Sequence, residues 1–366
     1  MTRLLYLVSH PIQYQAPLLR RIAAEAGLAL RVIFGEATAG AHREPDFGLD
    51  VAWDVPLLDS YEWAALDSID LRREIAGSDA VWIHGWQYPW QRRALHLAQR
   101  RGVPVLMRGE NWAAAMPDPP APLGWAKRAW RRSLFGRVAA FLTIGSRNRD
   151  YYIDHGIAAD RLFSMPYAVD NRRFAAGAES SVLQRETLRA ELGLPAAGPV
   201  VLFAGKLMPR KRPDLLITAW KRAPWSGPPP ALVFAGDGVL RPALQQQAPE
   251  AIFTGFRNQS QLPALYALAD LLVVPSEREP WGLVVNEAMA SGTAVIASDE
   301  VGAAHDLITA ESGALFRSGD ADGLAAALAA CLPRAGVLGE GAARAIARWD
   351  FEADIRGLKA ALEAVA

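Results

Sequence analysis

The chain has 366 residues, 51% of them hydrophobic and 21% charged, which is typical of a soluble α/β protein with two domains. Its 39 basic and 39 acidic residues cancel, so no overall field would attract nucleic acid. The single cysteine, Cys331, excludes an internal disulfide and a cysteine-rich metal site. The apolar run at residues 4–8 is too short for a signal-peptide core or a membrane span, so we expect a cytoplasmic protein.

Short apolar runs alternate with helical patterns along the chain. In the first half they occupy residues 4–8, 30–34, 80–84, 103–107, 140–144 and 162–165. In the second half they occupy residues 200–204, 231–235, 252–254, 271–274, 294–297 and 314–316. Continuous apolar strands that alternate with helices indicate parallel sheets covered on both faces. We therefore predict two doubly wound, Rossmann-like domains at residues 1–175 and 176–345, followed by an amphipathic helix within residues 346–366.

Polar side chains follow several predicted strands of the first domain. They are His10, Gln13 and Tyr14 after the first run, His84 at the end of the third run and Glu110 after the fourth. Open α/β sheets bind ligands at the carboxyl ends of their strands, so these side chains are candidate ligand contacts. The alternative is a structural role, such as a loop with an N-cap serine before the next helix.

The segment at residues 125–137 is both basic and aromatic. We interpret it as a surface helix whose apolar side packs on the sheet. Peripheral contact with an anionic membrane is the alternative, because basic amphipathic helices lie in that interface.

Two loops of the second domain carry features suited to phosphate. Lys206 and Lys211 lie in the loop that follows the run at 200–204, where both would reach a bound diphosphate. Gly236 and Gly238 follow the next run, and small residues let the backbone approach a ligand closely. A solvated basic loop and an ordinary turn are the alternatives.

The most informative segment is residues 275–292. Glu279 and Glu287 lie eight residues apart, on either side of a helix that we predict to begin at Gly282. The first amides of that helix, at Gly282, Leu283 and Val284, would form an anion site. Carboxylates that accept hydroxyl hydrogens beside amides that bind phosphate suit a nucleotide sugar.

This segment resembles the Glu-x7-Glu motif of the retaining glycosyltransferases of family four, which have the GT-B fold. The loop at 205–212 is similar to the family pattern Gly-Arg-Leu-x-x-x-Lys-Gly, with Lys206 in place of Arg and Arg212 in place of Gly. The resemblance covers nearly the whole chain. It implies two Rossmann-like domains facing a cleft and a last helix that crosses back to the first domain.

The resemblance also implies roles for the candidate residues. Glu279, Lys211, Lys206 and His84 would be catalytic. The donor would be bound by Gly205, Lys206, Lys211, Gly236, Gly238, Glu279, the amides at 282–284 and Glu287, with Glu287 at the ribose. On the acceptor side, His84 matches a strand-end His of the family, and Glu110 falls near a position where relatives often have His. The loop after the first run lacks the glycines usual in the family and would instead present His10, Gln13 and Tyr14. The co-substrates would be a nucleotide-diphosphate sugar and a hydroxyl acceptor, and we expect neither a metal nor a further cofactor.

Other functions stay open at this point. A GT-B sugar phosphorylase, a nucleotide-sugar epimerase or a non-catalytic nucleotide-sugar-binding module would share much of this pattern. A dinucleotide-dependent oxidoreductase is disfavoured, because no Gly-x-Gly-x-x-Gly follows a predicted strand. The sequence does not specify the sugar, the base or the acceptor.

Overall fold

The computed structural model describes residues 1–36, 42–44, 49–51, 53–182 and 185–366. The chain forms two α/β units. The first contains residues 1–36, Val55–Tyr167 and Phe351–Ala366, and the second contains Ala168–Asp350 together with a short hairpin from the N-terminal half.

Fifteen strands are present in the described residues, and each run predicted from the sequence overlaps one of them. They are β1 (Thr2–Val8), β2 (Leu28–Phe34), β3 (His42–Glu44), β4 (Leu49–Val51), β5 (Glu62–Ala65), β6 (Ala80–His84), β7 (Val105–Arg108), β8 (Ala140–Thr143), β9 (Leu162–Ser164), β10 (Val200–Ala204), β11 (Ala231–Ala235), β12 (Ile252–Gly255), β13 (Leu271–Val274), β14 (Ala294–Ser298) and β15 (Gly313–Phe316). The hairpin β3–β4 and the edge strand β5 were not predicted, because none of them is a continuous apolar run.

The helices cover the sheets and connect the strands. They are α1 (Ala16–Ala23), α2 (Leu71–Ala76), α3 (Pro89–Arg100), α4 (Leu123–Phe135), α5 (Ser146–Asp154), α6 (Asn171–Val182), α7 (Arg185–Glu191), α8 (Pro213–Arg222), α9 (Arg241–Gln247), α10 (Leu262–Leu268), α11 (Val284–Ala290), α12 (Ala304–Leu307), α13 (Ala321–Cys331), α14 (Ala335–Ile346) and α15 (Phe351–Val365).

Both main sheets are parallel, as predicted. The first has the order β5-β2-β1-β6-β7-β8-β9 and the second the order β12-β11-β10-β13-β14-β15. In each sheet, the next strands along the chain lie on one side of the first strand, and the later strands lie on its other side. The direction reverses between β1 and β6 in the first sheet and between β10 and β13 in the second, and such switch points are where open sheets bind ligands.

The side chains at residues 4–8 of β1 show why this run is continuously apolar. Leu4, Tyr6 and Val8 belong to the core on one face of the sheet, with residues of α15 such as Leu358. Leu5 and Leu7 belong to the core on the other face. Successive strand residues point to opposite faces, so a strand covered on both sides must be apolar throughout.

The last helix, α15, packs on the first unit. Asp354 is fully buried and lies 2.9 Å from Nη2 of Arg108, at the end of β7. A Cβ on Gly357 would lie 1.8 Å from the carbonyl oxygen of Ser164, so only glycine allows α15 to lie this close to β9.

The stretch Ala321–Val365 is long and apolar enough to cross a membrane by length and composition alone. In the structure it contains three helices, α13, α14 and α15, of 11, 12 and 15 residues. A span needs about 20 residues, and the buried leucines of these helices, such as Leu328 and Leu358, belong to the cores of the two units.

Candidate active site

The predicted donor loop follows β10, at the switch point of the second sheet. Gly205 has a φ of 146° and Gly236 one of 149°. A Cβ on Gly236 would lie 1.9 Å from the carbonyl oxygen of Gly205, and one on Gly238 would lie 2.5 Å from that of Leu207. These glycines therefore let the loops after β10 and β11 pack against each other, whatever they later bind.

A carboxylate and two cations meet where the loop after β10 contacts the loop after β13. The buried Glu279 accepts a hydrogen bond from Lys211 Nζ at 2.5 Å and from Arg210 Nη1 at 3.1 Å, both on Oε2. The backbone N–H of Glu277 donates to the carbonyl oxygen of Arg210 at 2.8 Å, and Arg212 pairs with the Glu277 carboxylate. The structure thus brings together two of the candidate residues named from the sequence, Lys211 and Glu279. It adds Arg210, which the sequence analysis did not single out.

Arg212 explains a departure from the family pattern. Its φ is 49°, in the left-handed region that favours glycine, and glycine is the residue of the pattern at this position. The side chain pairs with Asp214 at 3.2 Å as well as with Glu277, and these contacts hold the loop in place. Lys206, at the start of the loop, is half-buried.

Glu287 lies on α11 in a different environment from Glu279. Its carboxylate is buried, and Tyr266 donates its hydroxyl to Oε2 at 2.6 Å. Burial raises the pKa of Glu287 to about 7, although the hydrogen bonds from Tyr266 and Gln259 favour the ionised form. This carboxylate therefore gains and loses its proton near neutral pH.

The predicted helix start at Gly282 is wrong by two residues. Gly282 has a φ of 92°, which no right-handed helix contains, and α11 begins at Val284 after Leu283. The amides of Gly282, Leu283 and Val284 nevertheless donate to no backbone carbonyl among the described residues. They stay available to an anion, from a turn rather than from a helix end.

In the first unit, a polar cluster is built on Glu110, which follows β7. Oε1 of Glu110 accepts from the hydroxyl of Tyr14 at 3.3 Å and from that of Tyr167, and His84 Nε2 lies 3.9 Å from the same oxygen. Burial by itself would raise the pKa of Glu110, but the contacts with His84, Tyr167 and Tyr14 outweigh it and hold the pKa below its usual value.

Contacts with Nδ1 orient the imidazole ring of His84. Its Nδ1 lies 2.9 Å from the hydroxyl of Tyr6 and 3.4 Å from Nε2 of Gln15. Tyr6 is fully buried, and burial raises its pKa well above the usual value, so its hydroxyl stays protonated. This second layer of contacts leaves Nε2 of His84 on the side of Glu110.

The sequence analysis missed Tyr6, Gln15 and Tyr167. The available signal was a hydroxyl-bearing residue inside an apolar run, since Tyr6 interrupts the series Leu4 to Val8. Of the predicted loop residues after β1, the structure brings Tyr14 into the cluster. His10 is exposed, with Nδ1 2.9 Å from Ser9 Oγ, and Gln13 is half-buried.

Among the described residues, no group of three or more His, Cys, Asp or Glu side chains could hold a metal ion. The aspartates Asp320 and Asp322, at the start of α13, make other contacts. Asp320 caps α13 by accepting from the N–H of Gly323 at 2.9 Å, and Asp322 pairs with Arg222 at 2.9 Å.

Comparison with known proteins adds independent evidence. Residues 184–334 match the family model described as Glycosyl transferases group 1, and this region contains both the Lys211 loop and the Glu279 loop. A GDP-mannose-dependent alpha-mannosyltransferase of Mycobacterium tuberculosis is 34% identical over 220 residues, which cover 59% of this chain and 54% of the relative. A D-inositol 3-phosphate glycosyltransferase of Nocardia farcinica is 34% identical over 275 residues, which cover 69% of this chain and 58% of the relative. The chain thus spans little more than half the length of these curated relatives.

Solved structures resemble the chain over its whole length. The Anabaena protein Alr3699/HepE in complex with UDP has a TM-score of 0.74 at 18% identity, covering 98% of both chains. A sucrose-phosphate synthase from Thermosynechococcus elongatus has a TM-score of 0.69 at 21% identity, also covering 98% of both chains. The chain has the GT-B fold, and its residues 184–334 match the group 1 glycosyl transferases.

Proposed function

We propose that this chain is a retaining glycosyltransferase that moves a sugar from a nucleotide-diphosphate sugar to a hydroxyl acceptor. One observation carries the proposal. At the switch point of the second sheet, the Glu279 carboxylate meets Lys211 and Arg210 in one hydrogen-bonded group. Cations for a diphosphate and a carboxylate for sugar hydroxyls are the two kinds of contact that such a donor needs. The family match over residues 184–334 supports this assignment.

In this proposal the donor diphosphate binds against Lys206, Lys211 and the amides at 282–284. Glu279 contacts the donor sugar, and Glu287 accepts hydrogens from the ribose hydroxyls. Glu279 pairs with both Lys211 and Arg210, and one carboxylate beside two cations leaves a net positive charge. A bound diphosphate then takes over part of that cationic charge, and the Glu279 carboxylate gains room to accept sugar hydroxyls.

The chemistry follows from charge development. The acceptor oxygen bonds to the anomeric carbon while the bond from that carbon to the diphosphate breaks, and the electron pair leaves with the diphosphate. The acceptor proton passes to an oxygen of the leaving phosphate. Because the acceptor attacks the face of the sugar from which the diphosphate leaves, the anomeric carbon keeps its configuration. Lys206 and Lys211 stabilise the leaving charge without a metal, and each would contribute about 3 kcal/mol to the transition state.

The membrane-contact hypothesis for residues 125–137 belongs to the same proposal. Trp125 on α4 is 73% exposed and Trp130 is 46% exposed, with Lys127 and Arg128 exposed beside them. Arg131 instead lies inside, against Tyr151. An exposed face of tryptophan and basic residues suits peripheral contact with anionic lipid.

The test of the main proposal begins with thermal shift against UDP, GDP, ADP and their sugars. A nucleotide at one hundred times its Kd should stabilise the protein by about 2.7 kcal/mol. Proton NMR of the product formed from the best donor then reports the anomeric configuration. An inverted product would remove the retaining mechanism, and release of sugar 1-phosphate on addition of phosphate would favour a phosphorylase. No shift with any nucleotide would contradict the proposed function.

A further inference from the structure

The polar contacts of Glu110 in the first unit fall on one of its two carboxylate oxygens. The hydroxyls of Tyr14 and Tyr167 and Nε2 of His84 all lie against Oε1 of Glu110. In the described part of the chain, neither a hydrogen bond nor an ion pair of Glu110 involves Oε2. The Glu110 side chain is 35% exposed, whereas Tyr167 is buried, so the carboxylate is open to solvent.

The cluster occupies a place in the fold where ligands bind. Tyr14 follows β1, His84 ends β6 and Glu110 follows β7, and these three strands are neighbours in the sheet. The direction of the chain reverses between β1 and β6, so their carboxyl ends border the switch point of the first sheet.

The charge of the cluster limits what it can bind. Its contacts hold the pKa of Glu110 below the usual value, so the carboxylate is ionised at neutral pH. The buried cation Arg108 lies over the Tyr167 ring at 4.7 Å from its centroid and is paired with Asp354 at 2.9 Å. An oxygen of this kind accepts hydrogens from hydroxyl groups and repels phosphate.

We propose that Glu110 is a specificity-determining residue for the acceptor: its free oxygen binds a neutral hydroxyl-bearing sugar or polyol and disfavours a phosphorylated one. The proposal rests on the proposed glycosyltransferase function and deepens it. Tyr14 and Tyr167 are positioning residues, because their hydroxyls donate to Oε1 and leave Oε2 for the acceptor. This assignment distinguishes the chain from the relatives that are named for D-inositol 3-phosphate.

The experiment uses the full chain with the donor that gives the largest thermal shift. If no nucleotide sugar binds, the proposed glycosyltransferase function fails, and the role of Glu110 in acceptor specificity fails with it. With a bound donor, release of nucleoside diphosphate is measured with matched acceptors: inositol and D-inositol 3-phosphate, and methyl mannoside and its 6-phosphate. We expect the neutral member of each pair to have the higher kcat/KM, by about tenfold or more.

Glu110→Gln keeps the size of the side chain and removes its charge. We expect it to move the neutral-to-phosphorylated ratio of kcat/KM towards one, whereas Glu363→Gln, an exposed carboxylate on α15 of the same unit, should leave the ratio unchanged. A folding defect in Glu110→Gln would lower kcat/KM for both acceptors of a pair to the same extent. A change in the ratio therefore reports a change in specificity and not a loss of folded protein.

Saturation-transfer NMR on the donor-loaded protein gives a readout that does not need turnover. The assignment is supported if the parent contacts the neutral acceptors preferentially and if Glu110→Gln loses this contact or contacts the neutral and phosphorylated acceptors equally. A preference of the parent for the phosphorylated members, an unchanged ratio in Glu110→Gln, or no contact with any member would overturn it.

Discussion

At the residue scale, the two predicted glutamates have taken opposite electrostatic roles. Glu279 lies between cations and serves as their counter-charge. Glu287 is buried beside the Tyr266 hydroxyl, and its raised pKa makes it a group that titrates near neutral pH. The same residue type thus pairs with cations in a loop and with a buried tyrosine hydroxyl in a helix.

Lys211→Ala should lower kcat/KM by about a hundredfold or more, since it removes a cation from the leaving diphosphate. Lys206→Ala should follow closely. Steady-state kinetics with the best donor measures both. Lys221→Ala is the matched control, because that exposed lysine on α8 bonds only to the carbonyl oxygen of Gln247 in the described contacts. Parent-like kinetics in both loop variants would remove the leaving-group role.

Glu287 should make the free energy of unfolding depend on pH. Its pKa is raised from 4.5 to about 7 in the folded protein, so the folded state binds the proton more tightly than the unfolded state. Stability from this group is therefore full below pH 4.5 and is lost as the pH rises to 7, by about 3 kcal/mol in total. Urea unfolding at several pH values measures the slope, and Glu287→Gln should abolish this part of it.

The same variant tests the ribose role. Glu287→Gln should weaken nucleotide binding measured by calorimetry at pH 8, where the parent carboxylate is ionised and accepts two hydroxyl hydrogens. Nucleotide affinity equal to that of the parent would exclude Glu287 from the donor site.

At the element scale, the strand-end loops of the second sheet depend on glycines for their mutual approach. Gly236→Ala would place a Cβ 1.9 Å from the carbonyl oxygen of Gly205, in a left-handed conformation. We expect a loss of about 3 kcal/mol or more in urea unfolding, because backbone atoms cannot move away as a flexible side chain does. Gly227→Ala, with no atom within 4 Å of the added Cβ, should change little and provides the control. Equal stability of the two variants would contradict this account.

The helix α4 makes a separate prediction about surfaces. Co-sedimentation with phosphatidylglycerol vesicles should exceed that with phosphatidylcholine vesicles. The double variant Trp125→Ala, Trp130→Ala should bind about tenfold more weakly, because it removes the exposed aromatic area. Trp63→Ala on the edge strand β5 is a matched exposed tryptophan. No binding by the parent to either vesicle would end the membrane-contact hypothesis.

At the scale of the whole molecule, the chain end is built into the first unit. Arg108 of β7 donates Nη2 to Asp354 of α15, and both are fully buried, although they lie 246 residues apart. The same guanidinium donates to the carbonyl oxygens of Met165 and Pro166. Residues from three distant parts of the sequence therefore meet at one cation.

Asp354→Ala should destabilise the protein by about 3–5 kcal/mol, because it leaves the Arg108 charge buried without a carboxylate. Glu352→Ala, which breaks an exposed pair with Arg21, should cost less than about 1 kcal/mol. Urea unfolding of the two variants makes the comparison directly. If Asp354→Ala were as stable as Glu352→Ala, the buried pair would not anchor α15.

The sequence by itself determined the fold class and the loops that hold the candidate donor site. Each apolar run overlaps a strand, because a parallel sheet covered on both faces leaves few polar positions within a strand. Lys206, Lys211 and Glu279 were found as charged residues in the loops that follow such runs.

Only the tertiary structure decided which of these residues meet. No local pattern encodes that β6 lies beside β1, yet this order brings Tyr6, His84 and Glu110 into one cluster. The helix start after Gly282 depended on a left-handed turn that packs near Val301. The partner of Arg108 came from the last helix, because contacts across a sheet are set by strand order and packing rather than by distance along the chain.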